Sequence, residues 1–261
     1  IIGAKRLDDG SAVTVGAVEK MSKSKNNGVD PQTLINQFGA DTVRLYTMFT
    51  SPPDQSLEWN DAGVEGASRF LKRLWRSAYL HVESGLPQQP VTKDALNDAQ
   101  KAMRRQLHQA LAKVTDDMSR RHTFNTAIAA NMELLNGLAK FEDDSQNGKA
   151  IRQEVLESIV LMLSPIIPHV CQALWESLGH TDEDIVLASW PVLDESALVQ
   201  DAIEMVIQVN GKLRGKISVA ATASKETIEA IVLADEAIQR HLEGKAIKKL
   251  IVVPQKLVSI V

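Results

Sequence analysis

Two lysines among short polar residues form the part of the sequence best suited to chemistry. The stretch VEKMSKSKNNGVDP, residues 18–31, contains Lys20 and Lys23, and Lys25 follows closely. A lysine ammonium is a compact charge on a flexible stem, so it can follow negative charge from a reacting phosphate onto a departing pyrophosphate. The loop is therefore suited to hold an anion and then to release it.

The common phosphate-binding fingerprints do not explain this loop. The sequence contains neither G-x-x-x-x-G-K-[ST] nor G-x-G-x-x-G, so a Walker loop and a dinucleotide fingerprint are excluded. A hydrophilic surface loop without function is the alternative, and composition alone favours it. If the loop binds an anion, its serines and asparagines supply donors and Gly28 supplies backbone freedom.

A row of cations forms a second group of candidate residues. Arg69, Lys72, Arg73 and Arg76 recur at i, i+3, i+4 and i+7, which aligns them on one stripe of a helix. Like charges placed in this way repel one another. The pattern therefore favours contact with phosphates, and an ordinary solvated face is the alternative.

Length and charge indicate several globular units. A chain of 261 residues with 44% hydrophobic content exceeds one average domain, which predicts two or three units. The net charge of −4 conceals segments of opposite sign: +5 over residues 62–125, −11 over 141–205 and +4 over 206–261. A polyanion would be attracted to the two basic segments and repelled by the acidic one.

Several classes of protein are excluded by what the sequence lacks. Its single cysteine, Cys171, rules out an internal disulfide and a cysteine-cluster zinc site, and its apolar neighbours favour a buried thiol. No window is long and apolar enough to span a bilayer, and IIGAKRLDDG has no secretory pattern. We therefore expect a cytoplasmic protein with no membrane partner and no bound metal.

Local signals predict the elements around the lysine loop. The turn signal Asp8-Asp9-Gly10 predicts a strand pair within residues 1–18. Asp30 and Pro31 are a helix cap and a first-turn proline, so with Gly39 as the stop they predict a short helix over 31–38. A second helix is expected from Asp41 through Phe49.

Residues 61–180 are predicted to form a helical bundle. Further helices are expected over 94–118, 123–140 and 148–163, and a last one from Pro165 or Pro168 to Gly179. The first helix of this bundle contains apolar residues that recur at helical spacing and are predicted to form its buried face: Ala67, Phe70, Leu71, Leu74, Trp75 and Ala78.

The composition changes again near residue 201. EMVIQVNGKLRGKISV predicts two strands around the turn Asn210-Gly211, followed by a helix at about 224–241 and two final strands. The segment therefore reads as a small α+β domain.

Three stretches resemble one enzyme family. The string Lys20-Met21-Ser22-Lys23-Ser24 matches the K-M-S-K-S signature of class I aminoacyl-tRNA synthetases, in which this loop closes over ATP. The residues from this signature through FLKRLW resemble the same region of the leucyl enzymes. LMLSPIIPHVCQALW resembles bundle helices of the leucyl, isoleucyl and valyl group, and VIQVNGKLRGKISV resembles the carboxy-terminal domain of bacterial leucyl enzymes.

The resemblance implies a multidomain, mainly α fold. Residues 1–53 would be the end of a class I catalytic domain, and 54–195 a helical bundle of the anticodon-binding type. Residues 201–261 would be the small α+β carboxy-terminal domain that binds tRNA. The chain begins without an initiator methionine, and we interpret it as the carboxy-terminal part of a longer enzyme.

The resemblance also implies an activity, the joining of leucine to leucine tRNA with ATP and magnesium. Lys20 and Lys23 would be the catalytic contacts to the ATP phosphates, with Ser22 and Ser24 as supporting donors and Met21 as a packing anchor. The H-I-G-H signature and the leucine pocket of the family are absent. We therefore expect the chain to be inactive without its partner, the amino-terminal half.

We expect the row of cations on the first bundle helix, Arg69, Lys72, Arg73 and Arg76, to contact tRNA first. The second candidate is a basic cluster at a helix boundary, Arg120, Arg121 and His122. On a regular strand, Lys212, Arg214 and Lys216 would project from one face. With Lys245, Lys248 and Lys249 they could form a platform for folded RNA that contacts mainly phosphates.

Alternatives remain open beside the leucyl reading. The chain could be the same region of another class I synthetase, and VNGKLRGKI is the feature that favours the leucyl branch. It could also be a tRNA-binding subunit or module without catalysis, or a helical scaffold without a ligand. His169, Trp175 and Trp59 are expected to be structural.

Overall fold

The computed structural model describes residues 4–199, 202–221, 223–242, 247, 249–253 and 256–261. The chain forms two compact units. One consists of Ile1–Pro90 and Lys113–Pro191, and the other of Val91–Ala112 and Val192–Val261. Within the described ranges, no helix combines the length and the apolar character that crossing a membrane would require.

The first unit begins with the predicted strand pair. Strands β1 (Ala4–Lys5) and β2 (Ala12–Val13) are antiparallel, and the turn between them includes Gly10 at a φ of +71°. The lysine loop follows β2.

Two short helices follow the lysine loop as predicted. Helix α1 spans Pro31–Phe38, and α2 spans Ala40–Thr50. The Asp30 carboxylate accepts the backbone N–H groups of Gln32 and Thr33, both at 3.2 Å, so it caps α1. Gly39, at a φ of +85°, separates the helices with a backbone conformation that favours glycine.

Longer helices follow, and all of them lie in the first unit except the greater part of one, residues 98–112, which lies in the second. In chain order they are α3 (Asp61–Glu83), α4 (Asp98–Asp116), α5 (Phe124–Leu138), α6 (Gln146–Leu163) and α7 (Pro168–Ser177). In the first unit, α2 packs on α3 and α5, α5 on α6, and α7 on both α3 and α6. The core of this unit includes Leu45, Phe70, Leu74, Ile128, Leu134, Ile159 and Cys171.

One core assignment on α3 is wrong. Five of the six residues predicted to form its buried face are buried, but Trp75 is 46% exposed. Trp75 lies about 100° around the helix from Leu74, which is fully buried. The apolar stripe is therefore narrower than the spacing indicated, and the Trp75 ring lies on the outer side.

The second unit contains the predicted α+β segment. Its elements are β3 (Ala202–Val209), β4 (Lys212–Ala220), α8 (Lys225–Ala234), α9 (Glu236–Leu242), β5 (Leu250–Val253) and β6 (Leu257–Ile260). The strand order is β4-β3-β6-β5, with β3 and β6 parallel and the other pairs antiparallel. Helices α8 and α9 share a core with one face of the sheet.

The helix predicted over about 224–241 is divided into two. Asp235 is extended and ends α8, and its carboxylate accepts the backbone N–H groups of Ala237 and Ile238 to cap α9. Aspartate competes for backbone donors in this way more often than it continues a helix.

Candidate functional site

The lysine loop has a defined backbone. Ser22 is extended, Lys23–Lys25 form one 3-10 turn, and Asn26 is left-handed at a φ of +49°. The Asn27 side chain bridges the ends of the turn: its oxygen accepts the N–H of Ser22 at 2.8 Å, and its nitrogen donates to the carbonyl oxygen of Lys20 at 3.4 Å. The loop is thus closed by a side chain outside the signature.

The three loop lysines differ in their partners. Lys25 forms an ion pair with Glu19 at 2.6 Å. Lys20 and Lys23 are exposed, and neither forms an ion pair with any residue that the structure describes. The hydroxyl oxygens of Ser22 and Ser24 lie 3.3 Å apart, and Met21 is 43% exposed. The two signature lysines are therefore available to an anion.

The cation stripe on α3 is only partly free. Arg69 lies 3.6 Å from Glu65. Arg73 donates to the side chain of Asn136 at 2.9 Å, and its guanidinium lies 6.0 Å from the centre of the Phe70 ring. Lys72 and Arg76 are exposed and make no ion pair among the described residues.

The structure places exposed apolar side chains beside this stripe, which the sequence analysis missed. Trp75, Tyr79 and Leu80 are 46%, 56% and 55% exposed. Of these three side chains, Leu80 also lines a cleft of about 300 Å³, whose other lining residues are Arg73, Arg76, Ser77, Leu135, Asn136 and Ala139.

The predicted cluster at Arg120 and Arg121 is held by neighbouring carboxylates. The Arg120 guanidinium makes two bonds to Asp116, at 2.6 and 2.8 Å, and Arg121 donates to Asp117 at 3.0 Å. These residues lie where α4 widens into a π-helical turn, Asp117–Arg121, which ends at His122 with a φ of +52°. Any phosphate contact here competes with existing ion pairs.

Asp117 organises this turn from a fully buried position. Its carboxylate accepts bonds from Lys113 at 2.6 Å, Thr126 at 2.6 Å and Thr123 at 2.9 Å. Burial alone would raise the pKa of Asp117, but the hydrogen bonds from Lys113 and the two threonines outweigh it and lower the pKa. Asp117 therefore stays ionised and links α4 to α5.

The three cations of β4 do not share one face. The register between β3 and β4 shifts between Ile207 and Gln208, so β4 is not a regular strand. Lys216 pairs in register with Val206, whereas Lys212 pairs with Val209, whose side chain lies in the core. The bulge thus breaks the alternation on which the expected single face depends.

The partners of these C-terminal cations also differ. Lys216 forms an ion pair with Glu204 at 2.5 Å, whereas Lys212 and Arg214 are exposed without an ion pair in the described ranges. Lys249 is exposed. Lys245 and Lys248 lie outside the described residues.

A polar cluster of the second unit surrounds Asp194. Its carboxylate accepts bonds from Lys93 at 2.7 Å, from the Ser196 hydroxyl at 2.5 Å and from the buried Arg104 at 3.1 Å. The bonds from Lys93, Ser196 and Arg104 hold the pKa of Asp194 well below its usual range, against the effect of burial. No local sequence signal indicates this cluster, because Lys93 and Asp194 are 101 positions apart.

Three residues expected to be structural make contacts within the first unit. His169 bonds to the buried Asp41 at 2.9 Å, the Trp175 ring stacks on His180 at 3.6 Å, and Trp59 packs edge-on against Tyr46 at 4.9 Å. In the described part of the chain, no group of three or more His, Cys, Asp and Glu side chains could hold a metal ion.

Comparisons with known proteins agree with this arrangement. The family model "Anticodon-binding domain of tRNA ligase" matches residues 100–230, and "tRNA synthetases class I (I, L, M and V)" matches residues 11–60. Leucine–tRNA ligases of Chromohalobacter salexigens and Pseudomonas paraeruginosa are 57% and 56% identical over the whole chain. The chain spans 30% of the length of each.

A solved structure is similar as well. It is the ternary complex of LeuRS from Agrobacterium radiobacter K84 with tRNA and LeuAMS. Its TM-score is 0.77 at 28% identity, over 92% of this chain and 31% of that one. The expected mainly helical, multidomain synthetase fold is thus confirmed. Because the anticodon-binding model matches half of the chain, and leucine–tRNA ligases match all of it, this chain belongs to the tRNA ligase family that carries that domain.

Proposed function

We propose that this chain acts within a leucine–tRNA ligase of the cytoplasm, where it contributes the ATP phosphate-binding loop and surfaces for leucine tRNA. The catalytic role of the loop is supported by the ion pairing of its lysines. Lys20 and Lys23 are exposed and make no ion pair with the residues that the structure describes, while Lys25 outside the signature is bound to Glu19. The similarity of the whole of this chain to leucine–tRNA ligases supports leucine as the amino acid.

The loop would act on the first half-reaction. The leucine carboxylate attacks the α-phosphate of ATP, leucyl-adenylate forms, and pyrophosphate leaves with its magnesium ion, which enters as part of the substrate. The ammonium groups of Lys20 and Lys23 would stabilise the negative charge that grows on the pyrophosphate oxygens. Ser22 and Ser24 would donate hydroxyl bonds to the same phosphates.

The remaining residues would bind tRNA. We assign residues 1–53 to the end of the catalytic domain, 54–195 to the anticodon-binding bundle and 201–261 to the carboxy-terminal tRNA-binding domain. The first candidates for phosphate contact are the cations without an ion pair in the described part of the chain, Lys72, Arg76, Lys212 and Arg214. The paired arginines Arg69, Arg73, Arg120 and Arg121, together with Lys216, Lys248 and Lys249, are secondary candidates.

The leucine pocket and the rest of the ATP site would be supplied by the remaining part of a longer ligase, because the chain spans 30% of its relatives. The test combines this chain with the amino-terminal portion of the Chromohalobacter salexigens relative and measures leucine-dependent exchange of pyrophosphate into ATP. We expect exchange only when both parts are present. Lys23→Ala should lower the exchange rate by on the order of 100-fold, since it removes a transition-state contact.

Lys25→Ala is the matched control in the same loop, because it removes one lysine outside the signature. We expect it to change the rate less than about threefold, as an exposed ion pair contributes little. Equal losses in the two variants would show that the loop contributes only general positive charge. Exchange with the amino-terminal portion alone would contradict the assignment of the loop to catalysis.

A further inference from the structure

The outer face of α3 carries aromatic rings where a solvated helix carries charge. Trp75, Tyr79 and Leu80 are each about half exposed and lie within six positions of one another. Single exposed apolar residues are ordinary, but Trp75 and Tyr79 are four positions apart and are therefore neighbours on the helix surface, which makes the pair a candidate binding surface. Nothing in the described part of the chain covers them.

Each ring has a cation beside it. Lys72, Arg76 and Tyr79 recur at i, i+4 and i+7, so they align on one stripe. Trp75 lies three positions after Lys72 and four before Tyr79, which places it next to both. We call Lys72, Trp75, Arg76 and Tyr79 the aromatic-cationic face of α3.

The cations of this face are the free members of the stripe. Arg69 and Arg73 are engaged with Glu65 and Asn136, but Lys72 and Arg76 make no ion pair among the described residues. Residues 62–125 carry a net charge of +5. An occupant with negative charge and flat apolar groups therefore fits the face best.

We propose that the aromatic-cationic face of α3 binds an unpaired nucleotide of the bound tRNA. The base would stack on the Trp75 or Tyr79 ring, and Arg76 and Lys72 would contact the flanking phosphates. The inference rests on the proposed function, because it names which part of the RNA this surface takes.

Two observations favour an unpaired nucleotide over other occupants. A paired A-form helix presents ribose and phosphate on its outside, so exposed rings would gain no stacking from it. A protein partner could also cover Trp75 and Tyr79, but it would have to supply carboxylates opposite Lys72 and Arg76. The cleft of about 300 Å³ beside Arg76 and Leu80 adds a concave apolar wall.

The test measures binding of the full 261-residue chain to transcribed leucine tRNA over a range of salt concentrations. Trp75→Ala and Tyr79→Ala should each weaken binding by roughly tenfold, with the slope of log K against log salt unchanged. Trp75→Phe should retain most of the affinity, because phenylalanine still stacks. Lys72→Gln and Arg76→Gln should each reduce the slope by about one, because each removes one phosphate contact.

Two matched controls keep the test specific. Phe49→Leu removes an exposed ring on α2, and Lys5→Gln removes an exposed cation on β1. Both should bind tRNA as the parent does. All substituted side chains are at least one third exposed, so thermal melting by circular dichroism should be unchanged.

A second arm uses competitors without tRNA structure. A short single-stranded oligoribonucleotide should bind the parent chain more tightly than a blunt duplex of the same sequence, and Trp75→Ala should abolish the difference. If tRNA binds and the aromatic variants match the parent, the inference is wrong and the face is a protein contact surface. If the parent does not bind tRNA, the proposed tRNA role fails, and the oligonucleotide arm alone decides the inference.

Discussion

The side-chain oxygen of Asn27 accepts the backbone N–H of Ser22 at 2.8 Å, and this bond closes the loop that carries Lys20 and Lys23. The same side chain donates to the carbonyl oxygen of Lys20 at 3.4 Å. The positions of both signature lysines therefore depend on a residue outside the signature.

Asn27→Ala should lower the rate of leucine-dependent pyrophosphate exchange in the two-part assay on the order of tenfold, because the ammonium groups lose their fixed positions. Gly28→Ala is the control: an added Cβ meets no atom within 4 Å, and Gly28 has no positive φ, so the backbone freedom expected of it from the sequence is not used. It should leave the rate close to that of the parent. Equal rates for parent and Asn27→Ala would show that the loop is ordered by ATP and not by Asn27.

The buried Asp117 should matter far more to stability than its neighbour Asp116. Asp117→Asn weakens the bonds to Lys113 and Arg121 at a site with no exposed side-chain surface, so we expect the free energy of unfolding to fall by about 3 kcal/mol. Asp116→Asn breaks only an exposed ion pair with Arg120 and should have little effect. Urea denaturation followed by circular dichroism distinguishes the two, and similar losses would contradict the organising role of Asp117.

Asp194 should make the free energy of unfolding depend on pH. Lys93, Ser196 and Arg104 lower its pKa in the folded chain below the unfolded value of about 3.9. The folded state then binds fewer protons, so the contribution is present above about pH 4 and is lost as the pH falls through the folded pKa. Between pH 6 and pH 3.5, the unfolding free energy of the parent should fall more than that of Asp194→Asn. If the unfolding free energies of the parent and of Asp194→Asn fell in parallel, the Asp194 cluster would not contribute to the pH dependence of stability.

Cys171 should be inert in the folded chain. Its side chain is buried, and burial, with a smaller contribution from the Asp41 charge, raises the pKa of the thiol. A disulfide reagent such as Ellman's reagent should react with this single thiol only after urea unfolds the chain. Rapid reaction without urea would show that the packing of α7 opens readily.

The sequence predicted the elements that depend on neighbouring residues. Asp30, Pro31 and Gly39 act within one or two turns of their own positions, and α1 begins and ends where they indicate. The signature string likewise identified the loop without any long-range information.

Features that depend on tertiary contacts could not be predicted in this way. Trp75 was predicted to be in the core because it falls on the helical spacing of apolar residues. Its exposure depends instead on which other helices pack against that side of α3. The bulge between Ile207 and Gln208, which separates the faces of Lys212 and Lys216, follows from cross-strand pairing, and its one local sign is Gly215 inside β4. The bond between Lys93 and Asp194 joins residues that are far apart in the chain.

The most direct test of the central proposal is equilibrium binding of the chain to leucine, isoleucine and methionine tRNAs, each at two salt concentrations. Electrostatic attraction is the same for all three RNAs, and it weakens as the salt concentration rises. Contacts specific to leucine tRNA give it an affinity advantage over the other two that does not depend on this attraction. Leucine tRNA should bind distinctly more tightly than the other two, and its advantage should persist at the higher salt concentration. Equal binding of all three tRNAs, weakening together with salt, would contradict a role in recognising leucine tRNA.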